Sequence, residues 1–143
     1  MRYTTLRVIY NPVTLSPPLR CSEDCHDFFM GVWDKGVIDV QEQLYVLFMN
    51  GNNQVITLKC FNTGNGTETM FDIKFVLACA LGCLAVKIII AHNHPSGILK
   101  ASRMDIATTE RMAKACQLVD IKLEDHLIIC RNGYYSFADN GMI

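Results

Sequence analysis

The stretch from Ile88 to Asp105, IIIAHNHPSGILKASRMD, decides how the rest of the chain is read. The apolar run Val86–Ala91 that leads into it reads as a strand buried on both faces. Alternate side chains of an extended segment point the same way, so His92 and His94 can converge on one point. Pro95-Ser96-Gly97 then turns the chain, and a helix expected from near Ser102 brings Asp105 back to the histidines. Two histidines and an aspartate suit zinc, and three protein ligands leave a fourth tetrahedral position for water, as in catalytic sites. A plainer reading exists for each part. Histidines at a strand end can simply bond to backbone, and Ser-x-x-Asp is also how a helix begins.

Working outward, Ser22 reads as an N-cap, followed by Cys25, Phe28, Phe29, Val32 and Trp33 at the spacing of a helical apolar stripe. Asp34-Lys35-Gly36 ends that helix. Val40–Met49 and Gln54–Phe61 read as a hairpin across the Asn50-Gly51-Asn52 turn, with Asn62–Thr67 a loop. Thr69 and Asp72 resemble a cap for a second helix, whose stripe is Phe71, Phe75, Val76, Cys79, Ala80 and Cys83. The helix after Ser102 is expected to turn Ile106, Ala113 and Cys116 inward, with Glu110, Arg111 and Lys114 outward. Ile121–Leu123, His126–Cys130 and Tyr134–Phe137 read as short strands. The pattern predicts one α/β domain in which helices cover a mixed sheet, with residues 1–21, rich in proline towards the end, as an N-terminal arm or added edge strand.

The chain has 143 residues, half of them hydrophobic and 19% charged, with a net charge of −1. That composition belongs to a folded domain and carries no basic stripe of the kind nucleic-acid binders show. No apolar stretch is long enough to span a bilayer, and the N-terminus lacks the core of a signal peptide, so the expected location is the cytoplasm. Seven cysteines, an odd number lying mostly in helical stripes, read as reduced and buried. Cys21/Cys25 and Cys79/Cys83 have a spacing that a structural zinc site can use, but apolar packing is the favoured reading. His126 reads as a buried structural histidine beside Asp125, or as a partner orienting a zinc ligand. The residues of a zinc deaminase, His-x-Glu with Pro-Cys-x-x-Cys, are missing.

His92-x-His94, seven residues, then Ser102-x-x-Asp105 matches without a gap the His-x-His-x7-Ser-x-x-Asp signature of JAMM (MPN+) metalloproteases. Ala91-His92-Asn93-His94-Pro95-Ser96-Gly97, with Asp125-His126-Leu127-Ile128 and Tyr135-Ser136-Phe137 downstream, resembles the RadC-like branch. The similarity runs from about Ser22 to the C-terminus, giving a RadC-like JAB/MPN domain over 22–143. The resemblance implies a single-domain α-β-α layered fold with a mixed sheet like that of the cytidine deaminases. It also implies one zinc ion and hydrolysis of an amide bond in a peptide or isopeptide substrate.

On the family pattern, His92, His94 and Asp105 hold the metal, and Glu42, just before the strand core Leu44–Phe48, is the general base. From the residues alone Glu42 has no preference over Glu68. Zinc would lower the pKa of a water to about 7. Glu42 would take its proton, and Ser102 would donate a hydrogen bond to the carbonyl oxygen as well as cap its helix. The ring nitrogens left over on the two histidines need acceptors that the sequence does not identify. Ile98-Leu99 departs from the usual polar segment, and packing down is the expected fate of this lip. Longer members of the family add a helix-hairpin-helix module associated with DNA, for which no room is expected here. A DNA-repair or mobile-element accessory role and a non-catalytic metal-binding module are the alternatives.

Overall fold

Lys87–Asn93 is the middle strand of a five-stranded sheet in the computed structural model, which describes residues 16–63 and 72–143. The elements in chain order are α1 (Ser22–Val32), β1 (Gln43–Met49), β2 (Val55–Thr63), α2 (Ile73–Gly82), β3 (Lys87–Asn93), α3 (Arg103–Gln117), β4 (Lys122–Cys130) and β5 (Gly133–Ser136). The strand order is β2-β1-β3-β4-β5. β3 runs antiparallel to β1 and parallel to β4, so the sheet is mixed. A parallel pair needs a crossover, and α3 supplies it.

β3 is apolar from Ile88 to Ala91 because both of its faces are covered there. Ile88 and Ile90 pack with Val76 and Ala80 of α2 and with Met112 and Cys116 of α3. Ile89 and Ala91 point the other way, onto Cys25 and Phe29 of α1 and onto Trp33. Two cores therefore sit on either side of one sheet, the α-β-α layering expected from the sequence. The alternation also fixes the site: His92 continues the Ile88–Ile90 series towards α3, and Asn93 continues the other.

Several expectations shift in detail. Ser22 is the first helical residue rather than the cap; Cys21 is the N-cap, and the Ser22 hydroxyl donates to Asp139 Oδ2 at 2.5 Å. Val32 is exposed, so the α1 stripe is Cys25, Phe29 and Trp33 with Phe28 and Met30. β1 starts at Gln43, not Val40, which lies exposed in a turn. Asp72 caps α2 as expected, accepting from Lys74 N at 2.9 Å, whereas Phe75 is about half exposed. In α3 the fully buried positions are Thr109, Met112 and Cys116. The two strands expected at 121–123 and 126–130 are one, β4, whose register slips opposite Ile88/Ile89 where Glu124 is accommodated. That irregularity interrupts the apolar alternation and makes one strand look like two.

Of the proposed arm, residues 1–15 lie outside the described residues, as do 64–71 with Thr69 and Phe71; of the loop expected over Asn62–Thr67, Asn62 and Thr63 belong to β2. Leu19 N donates to Asn53 O at 2.8 Å and its side chain packs on the α1 core. No helix among the described residues is long and apolar enough to cross a membrane.

Candidate metal centre

His92 pairs with Leu44 of β1 and is 3% exposed, so its ring is delivered at the end of β3 onto the α3 side. His94 lies one residue past the strand, yet its N–H still bonds Ile129 O of β4 at 3.0 Å, which keeps this segment extended. That keeps both rings on one side. The chain then turns: Gly97 N bonds His94 O at 2.9 Å, and Gly97 takes φ +76, a left-handed conformation that glycine reaches without strain. The turn sends the Ile98 carbonyl back to His94 Nδ1 at 2.8 Å.

Asp105 arrives from the other side, on the first turn of α3. Ser102 and Asp105 form a reciprocal capping box: Asp105 N donates to Ser102 Oγ at 3.1 Å, and Ser102 N to Asp105 Oδ2 at 2.7 Å. The capping and metal readings of Ser-x-x-Asp are thus compatible, because the cap leaves Oδ1 aimed at the histidines. His92 Nε2 and His94 Nε2 are 3.0 Å apart, Asp105 Oδ1 is 3.2 Å from the first, and Oδ2 is 3.6 Å from the second. Ligand bonds of 2.0–2.2 Å around a tetrahedral ion place donor atoms about 3.3 Å apart.

The chemistry of the three groups fits a cation as well as their spacing does. A carbonyl only accepts, so His94 Nδ1 is the N–H that donates to Ile98, and a neutral His94 presents a bare Nε2. Burial pushes the Asp105 carboxyl up, but hydrogen bonds from His92 and His94, the His92 charge and Ser102 outweigh it and hold it well below the usual carboxylate range. His94 is raised, chiefly by its hydrogen bond to Asp105, against the lowering effect of burial. His92, His94 and Asp105 can hold a metal ion, and among the described residues they are the one such group of histidine, cysteine and acid side chains. The cysteine pairs are not a second one. Burial pushes the Cys25 thiol up to about 12 and raises Cys83 as well, so each pair has a member whose thiolate form is disfavoured.

Glu42 sits one residue before β1, half-buried, and its charge helps to raise the pKa of His94. Glu68 lies outside the described residues. The residues flanking Glu42 are tied to the histidine segment by Asn93, which is fully buried. Gln43 N donates to Asn93 Oδ1 at 2.7 Å, and Asn93 Nδ2 donates to Gln41 O at 2.9 Å and Ile38 O at 2.7 Å. This anchor explains why β1 begins late: residues 38–42 follow the Asn93 side chain instead of the sheet. The sequence offered only weak notice of it, in a polar residue at a position whose neighbours two back, Ala91 and Ile89, are buried.

Two effects on stability follow. Asn93→Leu keeps the branched shape in a larger side chain but orphans one N–H and two carbonyls, each costing about 1–3 kcal/mol, so a loss of at least roughly 3 kcal/mol is expected in urea unfolding. Ser102→Ala removes the cap and is expected to cost only about 1 kcal/mol, read as a small drop in Tm.

Both leftover ring nitrogens of the histidine pair have partners. His94 Nδ1 has the Ile98 carbonyl; His92 Nδ1 lies 2.8 Å from Nε2 of His126. His126 is 1% exposed and thereby held neutral, its pKa pushed well down by burial and by the charge of His92. Its Nδ1 meets Thr109 Oγ1 at 2.6 Å, and Thr109 is a residue the sequence reading passed over. The signal was its place one helical turn after Asp105, on the same face. The neighbouring Asp125, also buried, accepts from Ser136 Oγ at 2.6 Å, Ala138 N at 2.9 Å and His126 N at 2.7 Å, tying β4 to the C-terminal turn. The lip does not pack down as expected: Ile98 is 61% exposed and Leu99 37%, although Leu99 lies against Gly133.

Comparison with known proteins agrees with this geometry. The model of the RadC-like JAB domain family matches residues 19–142. A UPF0758 protein of Porphyromonas gingivalis is 41% identical over 104 residues, 72% of this chain and 46% of its own length. The Escherichia coli proteins UPF0758 YeeS and YfjY are 39% and 38% identical over 103 residues each, 72% of this chain and 70% and 64% of theirs. The chain thus spans less than half of the Porphyromonas relative and about two thirds of the Escherichia coli ones. With the family model covering nearly its whole length and the two-histidine, one-aspartate group assembled at the end of β3, this chain belongs to the RadC-like JAB domain family.

Proposed function

We propose that this protein is a zinc-dependent hydrolase that cleaves an amide bond, in a peptide or isopeptide substrate. The observation that carries the reading is the meeting of His92, His94 and Asp105 at ligand spacing; the charge of Glu42, which helps to raise the pKa of His94, supports its part in it. Two imidazoles and a carboxylate favour zinc, and three ligands leave room for a water. When bound, the ion supplies acidity, lowering the pKa of water from about 15.7 to about 7.

The chain's own groups do the rest. Glu42 accepts the proton that the attacking water gives up and returns it to the departing amine. Ser102 Oγ uses a lone pair to accept from Asp105 N, so its own proton is left to donate to the substrate carbonyl oxygen as charge develops there. Ile98, exposed beside His94, offers an apolar surface to the substrate's flank.

The test is hydrolysis of a mixed panel of peptides and isopeptide-linked conjugates by zinc-loaded and chelator-treated protein. Cleavage that chelation abolishes and zinc restores is the expected result. A protein that binds zinc stoichiometrically and cleaves nothing would instead favour the non-catalytic binding module, and salt-sensitive DNA binding would favour the accessory role.

A further inference from the structure

We propose that Thr109 and His126 set the tautomer of His92, so that its Nε2 is the bare, metal-facing nitrogen. Both are positioning residues for the metal centre, and the inference rests on reading His92, His94 and Asp105 as that centre.

The assignment follows from one fixed end. Thr109 Oγ1 lies 2.6 Å from the carbonyl oxygen of Asp105, one helical turn back. A carbonyl only accepts, so the single hydroxyl proton of Thr109 points there. Towards His126 Nδ1, also 2.6 Å away, Thr109 has only a lone pair to offer, so Nδ1 carries the His126 proton. A neutral imidazole has one N–H, which leaves His126 Nε2 as an acceptor. That acceptor faces His92 Nδ1 at 2.8 Å, so a neutral His92 carries its one proton on Nδ1 and keeps Nε2 bare. His92 Nε2 is the atom that faces Asp105 Oδ1 at 3.2 Å.

The chain of bonds is held rigidly. His126 is 1% exposed and stacks on Phe137 with ring centroids 4.7 Å apart and planes 11° apart. Its backbone N–H bonds Asp125 Oδ1, and its carbonyl accepts from Phe137 N at 3.0 Å. Thr109 is 2% exposed. The relay starts and ends on ligands: it begins at the backbone of Asp105 and finishes at the ring of His92. A helix turn and a neighbouring strand thus orient a ligand that neither carries, as partners behind metal ligands commonly do.

The experiment is long-range proton–nitrogen NMR on protein labelled with nitrogen-15 in histidine, metal-free and at alkaline pH, paired with zinc titrations. Wild type is expected to show both His126 and His92 protonated on Nδ1, the minority form of free histidine. Thr109→Val, which keeps the shape but loses the acceptor, is expected to move the His126 proton to Nε2 and weaken zinc binding 10- to 100-fold. Thr109→Ser is expected to retain both tautomers and bind zinc like wild type. Wild-type His126 protonated on Nε2, or unchanged zinc affinity in a folded Thr109→Val, would overturn the relay while leaving the metal centre standing. The stated tautomers in a wild-type protein that binds no zinc would overturn the metal centre and the relay's purpose with it. A purely packing role for Thr109 would lower Tm in the valine variant without moving a proton.

Discussion

His92→Ala is expected to abolish tight zinc binding, with affinity falling by more than the roughly 100-fold that loss of an outer partner costs. His92 Nε2 stands 3.0 Å from His94 Nε2 and 3.2 Å from Asp105 Oδ1, the two shortest contacts among the donor atoms. Without it, one imidazole and one carboxylate remain, 3.6 Å apart, and nothing holds an ion against water. The protein itself should still fold. The two cores are built from Ile88, Ile90, Met112, Phe29, Leu127 and their neighbours, all of which the substitution leaves in place. Calorimetric titration of the metal-free variant, beside circular dichroism to confirm the fold, reads the effect. Near-stoichiometric zinc in His92→Ala would remove the ligand assignment.

Glu42→Gln is expected to lower amide hydrolysis by about 10²- to 10⁴-fold, the usual worth of a positioned general base. Zinc affinity should change little, because Glu42 is outside the group of atoms that meet at the metal position. Glutamine keeps the size of the side chain and leaves the flanking anchor intact, since Asn93 binds the backbone of Gln41 and Gln43 rather than the side chain between them. The expected signature is a fall in kcat at full zinc occupancy. Equal turnover in wild type and variant would strike Glu42 from the mechanism. A fall in zinc content alongside turnover would give it a place among the ligands instead.

Asn93 and Thr109 show where legibility in the sequence stopped. The group that can hold a metal was readable because its spacing carries geometry: two histidines two residues apart along an extended segment, then an acid in the first turn of the next helix. The α-β-α layering was readable because the strand is apolar at four successive positions, Ile88 to Ala91, the mark of a strand covered on both faces. Asn93 stood inside the same motif, but its function depends on where residues 38–43 run, and nothing local to Asn93 encodes that path. Thr109 looked like an ordinary helix residue; its meaning comes from His126 on β4, across a crossover that brings distant positions into contact. The late start of β1 and the fusion of two short strands into β4 have the same origin. In each, a long-range partner or a register slip overrides the local pattern.

Zinc K-edge X-ray absorption of the loaded wild-type protein bears most directly on the metal centre. One ion per chain is predicted, surrounded only by nitrogen and oxygen at about 2.0–2.2 Å, with the outer scattering of two imidazoles. Sulfur at about 2.3 Å, which would draw on the chain's seven cysteines, or zinc that does not stay bound at all, would contradict it.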